Sequence, residues 1–212
     1  MYENLSIIKQ WAAANGVAIS QVQLELLARH KEMVLETNRY MNLTAITDPQ
    51  DFDIKHIIDS LTLLPYIKSG DTLADVGTGA GFPGLVLAIM REDLQVTLID
   101  SLRKRVFFLQ GVVDALGLKN VTCIHTRAED LARQGTTFDI CTARAVASLD
   151  KLAKWVLPLT KGKFLAMKGP GITDELTKAK PAIAKLGGQV VGIDSVEIAQ
   201  GLTHTILTIQ SK

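Results

Sequence analysis

Cysteine is nearly absent from this 212-residue chain. Cys123 and Cys141 both sit inside apolar, strand-like runs with neither CxxC nor histidine spacing, so the sequence offers no disulfide framework and no metal site is expected. Aromatic residues reach only 5%, too few for extended base-stacking platforms, and Trp11 and Trp155 are read as core fillers. No uninterrupted apolar stretch approaches the roughly 20 residues that a membrane span needs. The opening residues MYENLSIIKQW carry charge where a secretory leader would be basic and then apolar. A cytoplasmic chain with no membrane partner is expected.

What is present is apolar content of 47%, enough for a sizeable core in a 23.0 kDa chain. The net charge of +1 hides an asymmetry. Residues 1–100 hold 7 Lys+Arg against 13 Asp+Glu, whereas residues 101–212 hold 16 against 9. Charge so divided suits a polyanion docking on one face, although solvated lysines would give the same count.

Residues 1–65 read as an all-helical cap. Segments 4–14 and 20–40 have helical spacing, and the second opens with Ser20 and Gln23 at capping-box separation. A third helix starts at Asp48-Pro49 and runs to Pro65. From residue 66 to 212 the pattern becomes α/β. Strands are predicted at 72–76, 95–100, 120–125, 138–143 and 163–168, with helices at 83–91, 103–116, 148–157 and 173–186. Pro181 should kink or delay the last helix. Segments 189–198 and 203–209, joined at Gly201, should close the domain as an antiparallel hairpin. The expected fold is a doubly wound, mostly parallel, seven-stranded Rossmann-like sheet, the layout of class I S-adenosylmethionine methyltransferases, behind a helical cap.

The stretch LADVGTGAGFPG (73–84) places Asp75 before Gly77, Gly79 and Gly81 at a strand-to-helix turn. Phe82 stands where the dinucleotide pattern GxGxxG needs glycine, which disfavours an NAD-dependent oxidoreductase. Asp75 would repel a pyrophosphate but attract the cationic end of S-adenosylmethionine. Asp100 closes the next strand, where an acid meets a ribose diol in such folds; a helix cap is its competing role. TRAEDL (126–131) reads as a polar loop whose Ala128 and Glu129 suit an adenine edge.

NLTAI (42–46), KHIIDSL (55–61), DVGTGAGFPG (75–84), DSLRKRVFFL (100–109), RAED (127–130), ARAVASL (143–149) and LAMKG (165–169) together resemble the RsmG (GidB) family of small-subunit ribosomal RNA guanine-N7 methyltransferases. The resemblance implies S-adenosylmethionine contacts at Gly77, Phe82, Ala128, Glu129 and Arg144, and guanine 527 of 16S RNA as the target. Ala143 stands where family members often have serine.

Guanine N7 has an in-plane lone pair and no proton to lose, so no general base is expected. The exocyclic-amine signature Asn/Asp-Pro-Pro-aromatic does not follow the fourth strand, and Cys141 lacks the Pro-Cys setting of a carbon methyltransferase nucleophile. Arg144 is the expected substrate-positioning residue. Arg103, Lys104, Arg105, Lys163 and Lys168 are expected to contact the RNA. His56 and Asp59, three apart on one helix face, have the look of an acid–base pair, but a histidine fixing the cap against the core is the preferred reading; Asn42 and Thr44 are read as shaping a loop over the cofactor. A monomer acting on 16S RNA or the 30S subunit is expected; a methyltransferase for another substrate and a non-catalytic RNA-binding module are the alternatives.

Overall fold

A computed structural model describes residues 6–144 and 147–211. Its first helix, α1 (Ser6–Ala14), buries Ile8 and Ala12. Residues 4 and 5 of the expected first helix lie outside the described residues. The second, α2 (Gln21–Met41), has the full capping box: Ser20 Oγ accepts from the Gln23 amide and the Gln23 side chain accepts from the Ser20 amide. It ends at Asn42, whose left-handed φ of 52° stops the helix.

Asp48 caps α3 (Pro49–Phe52) through the Gln50 and Asp51 amides. The chain then widens into a π-helical stretch, Asp53–Ile58, before α4 (Asp59–Leu61). A uniform α-helix was the expectation there. Apolar spacing does not distinguish i→i+4 from i→i+5 bonding, and π-bulges are favoured at functional sites.

The remainder alternates as β1 (Thr72–Val76), α5 (Gly84–Met90), β2 (Gln95–Asp100), α6 (Arg103–Leu116), β3 (Val121–His125), α7 (Ala128–Arg133), β4 (Phe138–Arg144), α8 (Leu149–Val156), β5 (Thr160–Lys168), α9 (Thr173–Lys185), β6 (Gly188–Ala199) and β7 (Leu202–Ser211). TRAEDL is therefore the start of a short helix and not a loop. Helix α9 starts at Thr173 without the delay that Pro181 suggested, and continues through that proline. Leu176, Ala179 and Ile183 bury one stripe of it, and that burial outweighs the roughly 3 kcal/mol an interior proline costs.

The seven strands form one sheet in the order β3-β2-β1-β4-β5-β7-β6. Five are parallel, and β7 runs antiparallel to both neighbours. Strand order reverses between β1 and β4, where Asp75 lies beside Thr142. In open α/β sheets that switch point opens the ligand crevice at the carboxyl ends of the strands.

Strand alternation sends side chains to two cores. Leu73, Leu98 and Leu165 face α5, α6 and the cap, whereas Ala74, Cys141 and Phe164 face α7, α8 and α9. The cap helices share the first core: Ile8, Leu24 and Leu27 belong with Leu85 and Leu109. Gln23 Nε2 also donates to the Met90 carbonyl at the end of α5 (3.1 Å). Cys141 is fully buried, and desolvation pushes its thiol up to about 12. Such a group is no nucleophile.

Candidate active site

Strand β1 delivers the chain to a turn that only glycine tolerates. Gly77, Gly79 and Gly81 have φ of 72°, 61° and 97°, all left-handed. A Cβ on Gly81 would stand 2.4 Å from Leu85 Cδ1. Gly84 was not singled out in the sequence, yet a Cβ there would meet Leu98 at 2.4 Å and the Asp75 side chain at 2.8 Å. Its signal was its place after Pro83, at the start of a helix that must lie against a strand. The Gly77 and Thr78 amides donate to the Ile99 carbonyl (2.8 and 3.2 Å), tying the turn to β2.

Asp75 does not face the crevice. It is fully buried behind the turn, where Oδ2 accepts from the Gly84 amide at 2.8 Å. Burial pushes its carboxyl up to about 6 in spite of Thr78 and Gly84 beside it, and Oδ1 has no hydrogen-bond partner among the described residues. The expected direct grip on a cationic ligand is corrected to support of the glycine turn. Asp100 borders a cavity, and its Oδ2 accepts from the Gly79 amide (3.1 Å) and Oδ1 from the Leu102 amide (2.8 Å), joining the glycine turn to the residue that precedes α6.

Two cavities meet at Gly77. One, of about 290 Å³, lies between the ends of β2 and β3 and gathers Ile99, Asp100, Ala128, Glu129 and Trp155. The other, of about 410 Å³, lies between the cap and the ends of β4 and β5 and is bordered by Thr44, His56, Thr78, Phe82, Arg144 and His204. Trp155 thus reaches a cavity and is not wholly a core filler.

The larger cavity is walled by a stack. The Phe82 ring lies between His56 (4.6 Å, 9° between planes) and His30 (4.8 Å, 25°), with the Arg144 guanidinium carbon 5.4 Å from its centre. Arg144 Nη1 donates to the Lys55 carbonyl (2.7 Å) and Asp59 Oδ2 (2.9 Å), and Nη2 donates to His56 Nδ1 (2.8 Å). His204, from β7, bonds the other Asp59 oxygen through Nδ1. The fixing role read for His56 agrees with these contacts; Asp59 shares it, and His204 completes them from a strand nothing in the local sequence connected to the cap.

A guanidinium always donates, so His56 Nδ1 must accept and Nε2 carries the ring proton. Burial, and then the Arg144 charge, lower the ring to about 3. His56 is therefore neutral with no free lone pair. It cannot act as a base.

The family model described as "rRNA small subunit methyltransferase G" (GidB) matches residues 23–203. The chain belongs to the GidB family. It is similar to ribosomal RNA small subunit methyltransferase G of Clostridium botulinum (strain Alaska E43 / Type E3), 47% identical with 92% of this chain and 85% of that protein covered. It is also similar to the protein of the same name from Leuconostoc citreum (strain KM20), at 44% with the same coverage. Among solved structures, ribosomal protein L11 methylase of Lactobacillus delbrueckii subsp. bulgaricus superposes with a TM-score of 0.57 at 19% identity, over 73% of this chain and 77% of that one. A mutant of MtNAS in complex with S-adenosylmethionine superposes with a TM-score of 0.60 at 14% identity, over 89% of this chain and 73% of that one. At these identities the likeness concerns the fold, the class I methyltransferase sheet.

Of the basic residues expected to contact the RNA, Lys168, which borders the larger cavity, and Arg105 have ion-pair partners within the chain, and Lys163 lies away from the cavity. Lys168 Nζ is bound by the Ala147 carbonyl and Glu175 Oε1, both at 2.7 Å, and is nearly buried. Glu175 also accepts from the Leu149 amide (2.6 Å), so this ion pair secures the start of α8. Lys163 pairs in register with Ile140, toward the amino end of β4. That is four residues back along β5 from Met167, the nearest residue of that strand at the cavity, roughly 13 Å at strand rise. Arg105 turns inward to Asp100 Oδ2 (3.4 Å). Arg103 and Lys104 are exposed at the start of α6. The ARAVASL motif crosses residues 145 and 146, which lie outside the described residues.

Proposed function

We propose that this chain transfers a methyl group from S-adenosylmethionine to N7 of a guanine, guanine 527, in 16S ribosomal RNA of the small subunit, acting as a cytoplasmic monomer. Family membership across residues 23–203 supports the reaction class. The observation that carries the choice of N7 is the locked histidine: the imidazole bordering the larger cavity has its only lone pair held by Arg144. An atom that must shed a proton would need a base there; N7 does not.

The residues fit the donor. The side-chain-free turn at Gly77, Gly79 and Gly81 allows close approach of a ligand to the backbone, Phe82 backs it, and the cavity at Asp100, Ala128 and Glu129 offers carboxylates and an apolar floor for a nucleoside. When bound, S-adenosylmethionine supplies an electrophilic methyl group on a sulfonium.

The protein's own task is placement. Holding donor and acceptor in line contributes roughly 7–11 kcal/mol to lowering a barrier of this kind. Arg144 has three of its five donors committed to the cap, leaving Nε–H and one Nη2–H for a phosphate or a base oxygen. The cap thereby fixes the residue that positions the substrate.

The test is transfer of labelled methyl from S-adenosylmethionine to 30S subunits lacking the modification, followed by nucleoside identification. 7-Methylguanosine at position 527 is expected. Label on a carbon or an exocyclic amine would overturn the reading.

A further inference from the structure

Thr44 is held at every polar atom it has. Its amide donates to Asn38 Oδ1 (2.9 Å), its carbonyl accepts from Asn38 Nδ2 (2.9 Å), and the same Asn38 oxygen takes the Leu43 amide (2.6 Å). Left-handed Asn42 sets the bend that brings this loop back over the cavity. The loop is a fixed wall of the larger cavity.

The hydroxyl is more constrained still. Its oxygen receives the Ile46 amide at 3.0 Å and lies 2.8 Å from His56 Nε2. Arg144 occupies His56 Nδ1 as a donor, so Nε2 bears the hydrogen and donates to Thr44. Both lone pairs of Thr44 Oγ1 are then taken, and its one hydrogen has no acceptor among the described residues. A hydroxyl that ordinarily gives or takes is reduced to giving. The relay begins at a guanidinium, the one group in it whose direction is not free.

We infer that Thr44 is a specificity residue: its hydroxyl donates to an acceptor on the edge of the target base, O6 of guanine, and rejects adenine, which presents an amino group there. This rests on the guanine reading above and extends it to base selection. Guanine shows two acceptors on this edge, N7 and O6, and adenine an acceptor and a donor. A donor at O6 leaves N7 unencumbered, which a bidentate arginine would not. A hydroxyl whose lone pairs are both taken, facing an amino group, leaves two donors opposed, and such mispairing is the strong form of rejection.

The test compares Thr44→Val, which keeps the shape and loses the hydroxyl, with Thr44→Ser, which keeps the donor. Substrates are 30S subunits carrying guanine, inosine or 2-aminopurine at the target; inosine retains O6 and N7, and 2-aminopurine retains N7 alone. For the unaltered protein, kcat/KM for guanine and inosine should exceed that for 2-aminopurine by roughly 10- to 100-fold. Thr44→Val should collapse that ratio to near one by lowering the guanine and inosine values alone, and Thr44→Ser should restore it. Thr44→Ala gives the same comparison should valine not fit the loop. Affinity for S-adenosylhomocysteine, measured by calorimetry, should not change. Equal losses on all three substrates, weakened S-adenosylhomocysteine binding, or no rescue by serine would overturn the inference. Absence of guanine methylation by the unaltered protein would instead bring down the proposed function itself.

Discussion

Arg144 and His56 are joined by a single hydrogen bond of 2.8 Å that fixes the tautomer of the imidazole. The bond consumes Nδ1, so His56 should behave in NMR as a fixed Nε2–H tautomer with no titration between pH 5 and 8, in keeping with a ring lowered to about 3. Arg144→Lys removes the fork, and an ammonium cannot serve Lys55, Asp59 and His56 together. Expected is a His56 resonance that titrates at a visibly higher pH in that variant, with methyl transfer reduced by roughly tenfold or more, the usual scale for losing a charged hydrogen bond. An unchanged titration would show that burial alone holds the ring neutral.

His30 and His56 should make the fold acid-sensitive. Burial lowers His30 to about 4, while its Nε2 donates to the Ala80 carbonyl (2.8 Å). Both rings are lowered from an unfolded value of 6.5. The unfolded chain therefore binds more protons below pH 6.5, and stability falls as pH drops toward 4 and 3. At pH 5 each ring accounts for about 2 kcal/mol of lost stability. Denaturant titrations from pH 7.5 to 4.5 would show the slope, and His30→Gln should flatten it by about half. A stability that does not change across that range would contradict the buried neutral rings.

The layers of the fold could be read from spacing because helices and strands advertise their periods locally. The capping box at Ser20 and Gln23, the glycine turn and the closing hairpin are all short-range patterns, and the structure has each of them. The site was legible only in part, because its contacts join segments far apart in the chain. His204 lies 145 positions from Asp59, and His30 reaches Ala80 across 50. The roles of the basic residues were hidden for a related reason. Charge counts place a lysine in a region without saying what faces it, and Lys168 faces Glu175. Asp75 misled because a carboxylate beside a ligand turn and one beneath it look the same in sequence, and burial alone separates them.

Asp75 gives the opposite pH signature from the histidines. Its folded pKa, about 6, lies above the unfolded 3.8, so the native state holds the proton more tightly and stability falls as pH rises through that window. Above pH 6 the ionised carboxylate costs on the order of 2–3 kcal/mol. Asp75→Asn keeps an acceptor for the Gly84 amide and turns an amino group toward Thr78 Oγ1, which has no partner among the described residues. The variant should melt roughly 5–10 °C higher than the parent at pH 8, with the gap narrowing toward pH 4. If S-adenosylhomocysteine affinity falls while stability rises, the charge serves the ligand across the turn. A lower melting point at pH 8 would refute the buried, costly carboxylate.

Salt dependence separates the structural lysines from those that meet RNA. Each phosphate neutralised by a cation adds about 0.9 to the magnitude of the slope of log K against log salt on duplex, and about 0.7 on single strands. Arg103 and Lys104 stand exposed at the start of α6, beyond the Asp100 cavity, with no ion-pair partner among the described residues. Replacing both with glutamine should lower the slope by about one to two and weaken all RNA sequences alike, leaving the melting temperature unmoved. Lys168→Met should do the reverse. Its ammonium is spent on Glu175 and the Ala147 carbonyl, so the slope should hold while the melting temperature falls, because Glu175 is left with an unbalanced charge next to the amide that opens α8. Salt-series binding to 30S subunits, run beside thermal melts of the same variants, checks both halves. A slope lowered by Lys168→Met at constant stability would return that lysine to the RNA face.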